Sequence, residues 1–128
     1  MVPIFLFTDD YDRLHDFYVN ILGFVETVDV LAFPGRDGDS VGIWLLNNSE
    51  NKNVGVSYFG YEIETDFLSY CDSLISLGVR FELVGSLPIG YIARFFDPDG
   101  NTIQLSCESF DDTEDVDISK WDFTKNFM

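Results

Sequence analysis

Two stretches of the chain carry the apolar spacing of an amphipathic helix. The first runs from Asp10 to Phe24 and the second from Asp66 to Val79. Apolar side chains recur three and four residues apart in both, at Leu14, Phe17, Tyr18, Ile21 and Leu22, and at Phe67, Leu68, Cys71, Leu74 and Ile75. Each stretch starts on an acidic residue and ends on Leu-Gly followed by an apolar residue, with an offset of 55 or 56 residues. The pattern predicts two helices within a duplicated unit.

Strand-like segments flank both helices. They span 3–7, 25–33 and 41–46 around the first helix, and 56–63, 80–84, 91–96 and 102–107 around the second. Turn sequences rich in Pro, Gly and Asp at 34–39 and 97–100 separate some of them. Each repeat is interpreted as β-α-β-β-β, which predicts an α+β fold with one domain over 1–107, built from modules 1–48 and 54–107. Because a repeat of roughly 55 residues buries too little surface alone, the curled mixed sheets should share a core or a cavity.

The last segment, 108–128, departs from this pattern. It holds seven acidic residues against two lysines, and also Trp121, Phe123 and Phe127. Disordered tails rarely carry three large aromatic side chains. We therefore expect a partly ordered acidic tail whose aromatic residues pack on the body of the protein or on a partner.

Charge and composition narrow the range of partners. The net charge is −16 and the isoelectric point is near 4.1, which disfavours nucleic acid and anionic membranes. The same acidity favours a cationic ligand, or serves solubility alone. No apolar run reaches the ~20 residues of a membrane span, and the first seven residues lack a basic region, so we expect a cytoplasmic protein.

Few residues are suited to zinc binding or to nucleophilic catalysis. The chain has one histidine, His15, and two isolated cysteines, Cys71 and Cys107. These counts exclude a zinc site built from Cys and His and leave no credible Ser-His-Asp or Cys-His arrangement. His15 is predicted to lie on the solvent side of the first helix, and both cysteines to be buried and reduced.

Two motifs resemble those of the vicinal oxygen chelate superfamily, which includes glyoxalase I, extradiol dioxygenases, and fosfomycin- and bleomycin-resistance proteins. The first is Asp10-x6-Phe17-Tyr18-x3-Leu22-Gly23-Phe24, and the second is Phe95-Phe96-Asp97-Pro98-Asp99-Gly100-Asn101-x-Ile103. The resemblance covers about residues 2–107. It implies paired β-α-β-β-β modules around a cavity that a second chain commonly completes, and hence a homodimer.

Enzymes of that superfamily hold a divalent metal with His or Glu on the strands that face the cavity. The corresponding positions here are Pro3, the apolar strand 41–46, Phe59 or Tyr58, and Gln104. We therefore predict no metal and no cofactor. The pattern is most similar to that of bleomycin-resistance proteins, which sequester a cationic drug in an acidic, aromatic-lined groove. Two alternatives stay open: a lyase, isomerase or dioxygenase with an atypical metal site, and an acidic interaction protein.

Candidate ligand-binding residues follow from strand alternation and side-chain chemistry. Hydrophobicity predicts that Phe59, Tyr61 and Ile63 face the core, so that Glu62 and Glu64 face the other way. The register of the family, counted back from Asp66, implies the opposite orientation. A bulge near Thr65 would be needed to reconcile the two. Aromatic residues on strands either pack in the core or stack on a flat ligand. Arg94 either forms an ion pair, with Glu62, Glu64 or Asp97, or contacts the ligand. The predicted set comprises Trp44, Tyr58, Glu62, Glu64, Tyr91, Arg94 and Gln104.

Overall fold

The computed structural model of the chain describes residues 2–27, 30–34, 41–49, 52–112 and 115–126. The chain divides into two compact units. The first comprises Met1–Ser57 and Asp97–Asn101, and the second comprises Tyr58–Phe96 and Thr102–Met128. Each unit is a mixed sheet with one principal helix, which confirms the predicted α+β class. Within the described residues, no helix is both long and apolar enough to cross a membrane.

The first unit holds a four-stranded sheet in the order β1-β4-β3-β2. Strands β1 and β4 are parallel and the other pairs are antiparallel. Helix α1 continues into a π-helical turn at Phe17–Ile21. The elements are β1 Val2–Thr8, α1 Tyr11–Asp16, β2 Val25–Glu26, β3 Leu31–Ala32 and β4 Val41–Asn47.

The second unit holds a five-stranded sheet in the order β5-β8-β7-β6-β9. Strand β5 runs parallel to β8, while β7 is antiparallel to both of its neighbours. The elements are β5 Tyr58–Glu62, α2 Phe67–Ser76, β6 Arg80–Leu87, β7 Gly90–Phe96, β8 Thr102–Cys107 and β9 Thr124–Asn126.

The segment 25–33 is a hairpin of two short strands, not the single strand that its composition predicts. Thr27 causes the break: its hydroxyl donates to the carbonyl of Val30 at 2.6 Å and accepts from the Val30 amide at 3.2 Å. This side-chain turn reverses the chain between β2 and β3 and supplies the fourth strand of the first repeat. Most of the turn predicted at 34–39 lies outside the described residues.

The two family motifs meet in the first unit. The hydroxyl of Tyr18, from the first motif, donates to Oδ2 of Asp97, from the second, at 2.6 Å. The other oxygen of Asp97 accepts the backbone amides of Asp99 and Asn101, as the turn chemistry predicts. Asp97 is only 1% exposed. These bonds hold the turn against the π-helical segment.

The acidic tail is largely built into the second unit. Strand β9 pairs in parallel with β6. Trp121 is buried, and Phe123 stacks on Phe81 with 5.6 Å between ring centroids. Two of the three tail aromatics thus pack on the protein's own body, while Phe127 lies outside the described residues.

The start of α2 also depends on the tail. Asp66 occupies the N-cap position with φ 59° but makes no capping side-chain bond. Instead Oδ1 of Asp112 accepts the Ser69 amide at 3.1 Å, and the carbonyl of Asp111 accepts the Asp66 amide at 2.8 Å. A carboxylate distant in sequence therefore performs the N-terminal capping.

Candidate ligand-binding site

Strand β5 follows the hydrophobic pattern and not the register counted from the family motif. Phe59 and Tyr61 are buried, while Tyr58, Gly60 and Glu62 are exposed. The pairing of β5 with β8 is unbroken from Tyr58 to Glu62. Helix α2 packs on the buried side, where the Tyr61 and Tyr70 hydroxyls lie 2.6 Å apart. The opposite face of the sheet therefore carries Tyr58 and Glu62.

Four side chains form a continuous row across that opposite face. We call Tyr58, Gln104, Arg94 and Glu82, from β5, β8, β7 and β6, the polar row. The Tyr58 hydroxyl donates to Oε1 of Gln104 at 3.0 Å, and the same oxygen lies 3.4 Å from Nη2 of Arg94. Nη1 of Arg94 donates to Oε2 of Glu82 at 3.2 Å. The guanidinium also lies over the Tyr58 ring, 5.8 Å from its centroid.

Arg94 is paired, but with none of the three carboxylates expected from the sequence. Its partner is Glu82, because the pairing of β6 with β7 shifts register between Phe81 and Leu83. The bulge brings Glu82 within reach of Arg94. The hydrogen bond that Arg94 donates to Glu82 raises the pKa of Arg94, so Arg94 stays protonated within the row. Nothing in the sequence marks this bulge.

Beside the row, β5 and β8 approach each other closely at Gly60. Gly60 pairs with Gln104, and a Cβ at Gly60 would lie 2.7 Å from the Gln104 carbonyl oxygen. Any side chain there would clash with the β8 backbone. The β5 and β8 backbones therefore approach closely between Tyr58 and Glu62, and glycine is the residue that fits there.

The remaining predicted residues are distributed differently. Glu62 and Glu64 are exposed, and Glu64 follows the end of β5. Tyr91 lies on the α2 side of its sheet, stacked on Phe67 with 5.1 Å between centroids. The structure thus brings Tyr58, Arg94 and Gln104 together with Glu62 nearby, and directs Tyr91 to the other face.

Trp44 belongs to the first unit and has a partner that the sequence did not suggest. Trp44 is 41% exposed and Phe5 is 51% exposed, and their ring centroids lie 5.8 Å apart. The parallel register of β1 and β4 pairs the two residues directly. They project from the face opposite to buried Leu6 and Leu45. Every residue of β1 from Val2 to Phe7 is apolar, so alternation did not single out Phe5.

His15 is not the fully solvated residue that its helix position predicts. Nε2 lies 3.2 Å from Oε1 of Glu26, and the ring stacks on Tyr11 with 5.8 Å between centroids. Cys71 and Cys107 are buried. Burial raises the pKa of both thiols, which keeps them protonated and weakly nucleophilic.

The donor set at the implied metal positions does not fit a divalent transition metal. Oε1 of Gln104 already accepts from Tyr58 and Arg94, and the adjacent guanidinium is a cation. Pro3 and Phe59 carry no ligating side-chain atom. Over the described part of the chain, no three His, Cys, Asp or Glu residues cluster in a way that could hold a metal ion.

Comparisons with known proteins agree with this architecture. A family model described as the Glyoxalase/Bleomycin resistance protein/Dioxygenase superfamily matches residues 1–105. No curated protein matches the chain. TnmS3, an antibiotic binding protein from Streptomyces sp. CB03234, is 28% identical with a TM-score of 0.67, over 85% of this chain and 96% of that one.

Two further solved structures extend the comparison. A glyoxalase/bleomycin resistance protein from the same Streptomyces is 28% identical with a TM-score of 0.64, over 83% of this chain and 99% of that one. The fosfomycin resistance protein FosX from Listeria monocytogenes is 15% identical with a TM-score of 0.66, over 86% and 93% of the two chains. At that identity, FosX supports the fold alone.

Proposed function

The chain belongs to the Glyoxalase/Bleomycin resistance protein/Dioxygenase superfamily, and on that basis we propose that it is a metal-free small-molecule-binding protein. Its ligand is a cationic aromatic compound, such as an antibiotic, that the protein sequesters. We place it in the cytoplasm as a homodimer. The observation that carries the proposal is the polar row, in which Gln104 takes the position of the family's metal-binding carboxylate and is held by Tyr58 and Arg94.

Metal-assisted chemistry needs a carboxylate or imidazole at that position to hold and tune the ion. The Gln104 amide carries no charge, and its oxygen already accepts from two donors. It is therefore a weaker metal ligand than a carboxylate or an imidazole. The row is therefore better suited to hydrogen bonding with an organic ligand than to Lewis-acid catalysis.

Aromatic and charged groups near the row suit a flat cation. Tyr58 is 58% exposed and Arg94 lies over its ring, which supports an accessible second ring face for stacking. Glu62 is exposed and has no ion-pair partner among the described residues, whereas Glu82 neutralises Arg94. The net charge of −16 raises the local concentration of cations around the whole protein. The likeness to TnmS3, named as an antibiotic binding protein, supports sequestration over turnover.

The proposal is tested with two probes of one ring system. 9-Aminoacridine is cationic at neutral pH and acridine is neutral, so their difference in affinity reports charge recognition. We expect saturable binding of 9-aminoacridine. The double variant Glu62→Gln, Glu64→Gln should lower its affinity by about fivefold at about 0.01 M salt. This loss should be smaller at about 0.15 M salt, because salt screens the charges. The matched control, Glu108→Gln with Asp115→Asn, removes two exposed tail carboxylates and should change affinity less than twofold.

Three results would count against the proposal. Equal affinities for the two probes, or equal losses in the two double variants, would leave the acidity as a solubility feature. Unchanged binding in Tyr58→Leu would exclude the row as the stacking surface. Near-stoichiometric Zn, Mn, Fe or Ni in protein purified without chelators, measured by elemental analysis, would favour an enzyme with an atypical metal site.

A further inference from the structure

The polar row contains one hydrogen-bonding group that the protein itself does not use. Oε1 of Gln104 accepts from both Tyr58 and Arg94. The side-chain nitrogen, Nε2, carries two N–H donors and makes no hydrogen bond to any residue that the structure describes. Nε2 reaches solvent, in contrast to Nε of Arg94, which is buried without a partner. The row therefore presents an unused donor to whatever covers this face of the sheet.

The orientation of this amide follows from its neighbours. A guanidinium only donates hydrogen bonds, so the amide atom that faces Arg94 has to be the oxygen. Rotating the amide by half a turn would place its N–H groups against those of Arg94. The Tyr58 hydroxyl then donates to the same oxygen, at 3.0 Å. Arg94 and Tyr58 together thus leave Nε2 as the free donor.

A free donor favours ligands that carry an acceptor. A ligand that covers Nε2 removes its water, and a donor left without a partner destabilises the complex. The carboxylates of Glu62 and Glu82 on the same face disfavour an anionic acceptor, so a neutral oxygen fits best. We propose, resting on the function proposed above, that Gln104 determines specificity by donating a hydrogen bond from Nε2 to a carbonyl oxygen of the cationic aromatic ligand.

The strand register sets the distance between the two polar groups of such a ligand. Gly60 pairs with Gln104, and Glu62 lies two residues further along β5. Two residues of a parallel strand span about 7 Å. A ligand that contacts both side chains therefore carries its carbonyl and its cationic group at opposite ends of an aromatic ring.

The experiment is an NMR titration of the full chain with two cations of the same shape. They are 4-acetyl-N,N,N-trimethylanilinium and its 4-isopropenyl counterpart, in which a methylene group replaces the carbonyl oxygen. Gln104 is the one glutamine of the chain, so selective labelling of glutamine identifies its side-chain N–H signals. We expect the acetyl compound to shift these signals saturably and to bind about fivefold more tightly than the isopropenyl compound, as one neutral hydrogen bond would give.

A matched pair of variants tests the donor, with affinities taken from backbone signals. Gln104→Glu keeps an oxygen that accepts from Tyr58 and Arg94 but removes the N–H groups, and EDTA prevents the new carboxylate from recruiting a metal. This variant should lose the preference for the acetyl compound. Thr102→Val removes a hydroxyl from the same face of β8 and should retain the preference. Retention in Gln104→Glu, or an equal loss in both variants, would overturn the proposal.

The inference and the proposed function can fail separately. Equal affinities of the unaltered protein for the two anilinium compounds would refute the role of Gln104 and leave the binding of aromatic cations standing. Binding of 9-aminoacridine without binding of either anilinium compound would also refute the inference alone. If none of the three cations binds, the proposed function is refuted, and the inference with it.

Discussion

Removing the Tyr18 hydroxyl should destabilise the protein, and by an amount that depends on pH. Asp97 is 1% exposed and accepts four hydrogen bonds, from Tyr18, Asp99 and from the backbone and side chain of Asn101. Burial raises the pKa of Tyr18 well above its ordinary 10.0, so its hydroxyl remains a donor. Tyr18→Phe keeps the ring and its edge contacts with Phe17 and Phe24 while removing one of four donors.

The magnitude follows from the charge on Asp97. A hydrogen bond to a buried charged group contributes about 1.5–3 kcal/mol, and one between neutral groups about 1 kcal/mol. Tyr18→Phe should therefore lower the free energy of unfolding by about 2 kcal/mol near pH 7, where Asp97 is ionised.

The pH dependence has a definite sign. Burial raises the pKa of Asp97 above 3.8, and the Tyr18 hydrogen bond opposes that rise. The folded state therefore binds the Asp97 proton more tightly than the unfolded state, and more so in Tyr18→Phe. Lowering the pH through this window stabilises the variant more than the unaltered protein. The difference should shrink to about 1 kcal/mol near pH 3.

Urea titrations followed by circular dichroism measure both values. Tyr11→Phe is the control, since Tyr11 is an exposed tyrosine of the same helical segment, and its effect should stay within about 0.5 kcal/mol. A loss below about 0.5 kcal/mol for Tyr18→Phe at neutral pH, or a loss that grows on acidification, would refute the reasoning.

Two further predictions concern the tail and the assembly. Asp112→Ala removes the acceptor of the Ser69 amide and should lower the free energy of unfolding, measured in urea titrations, by about 1 kcal/mol. Asp115→Ala on the same tail should change it little. Equal effects of the two substitutions would exclude the capping role. Light scattering at micromolar concentration should give twice the 14.6 kDa chain mass, because Phe5 and Trp44 leave apolar surface exposed on the first sheet; a monomer mass would contradict the homodimer.

Local patterns in the sequence were sufficient for the repeat, both helices and most strands. When one face of a helix or strand is buried, apolar residues recur along the sequence every 3.6 or every 2 residues, respectively. Strand β8 has the predicted bounds, with Ile103 and Leu105 buried and Gln104 on the other face. The turn at Asp97 was predictable because its chemistry lies within five consecutive residues.

Contacts between distant residues were decided only by the tertiary structure. The bond from Tyr18 to Asp97 spans 79 positions and the one from Ser69 to Asp112 spans 43. The pairing of Arg94 with Glu82 depends on a register shift in β6, and the approach of His15 to Glu26 depends on how α1 packs on its sheet. A single sequence records which side chains are buried or exposed on each element. It does not record which exposed groups the folded chain brings within hydrogen-bonding distance, because that depends on strand register and helix packing.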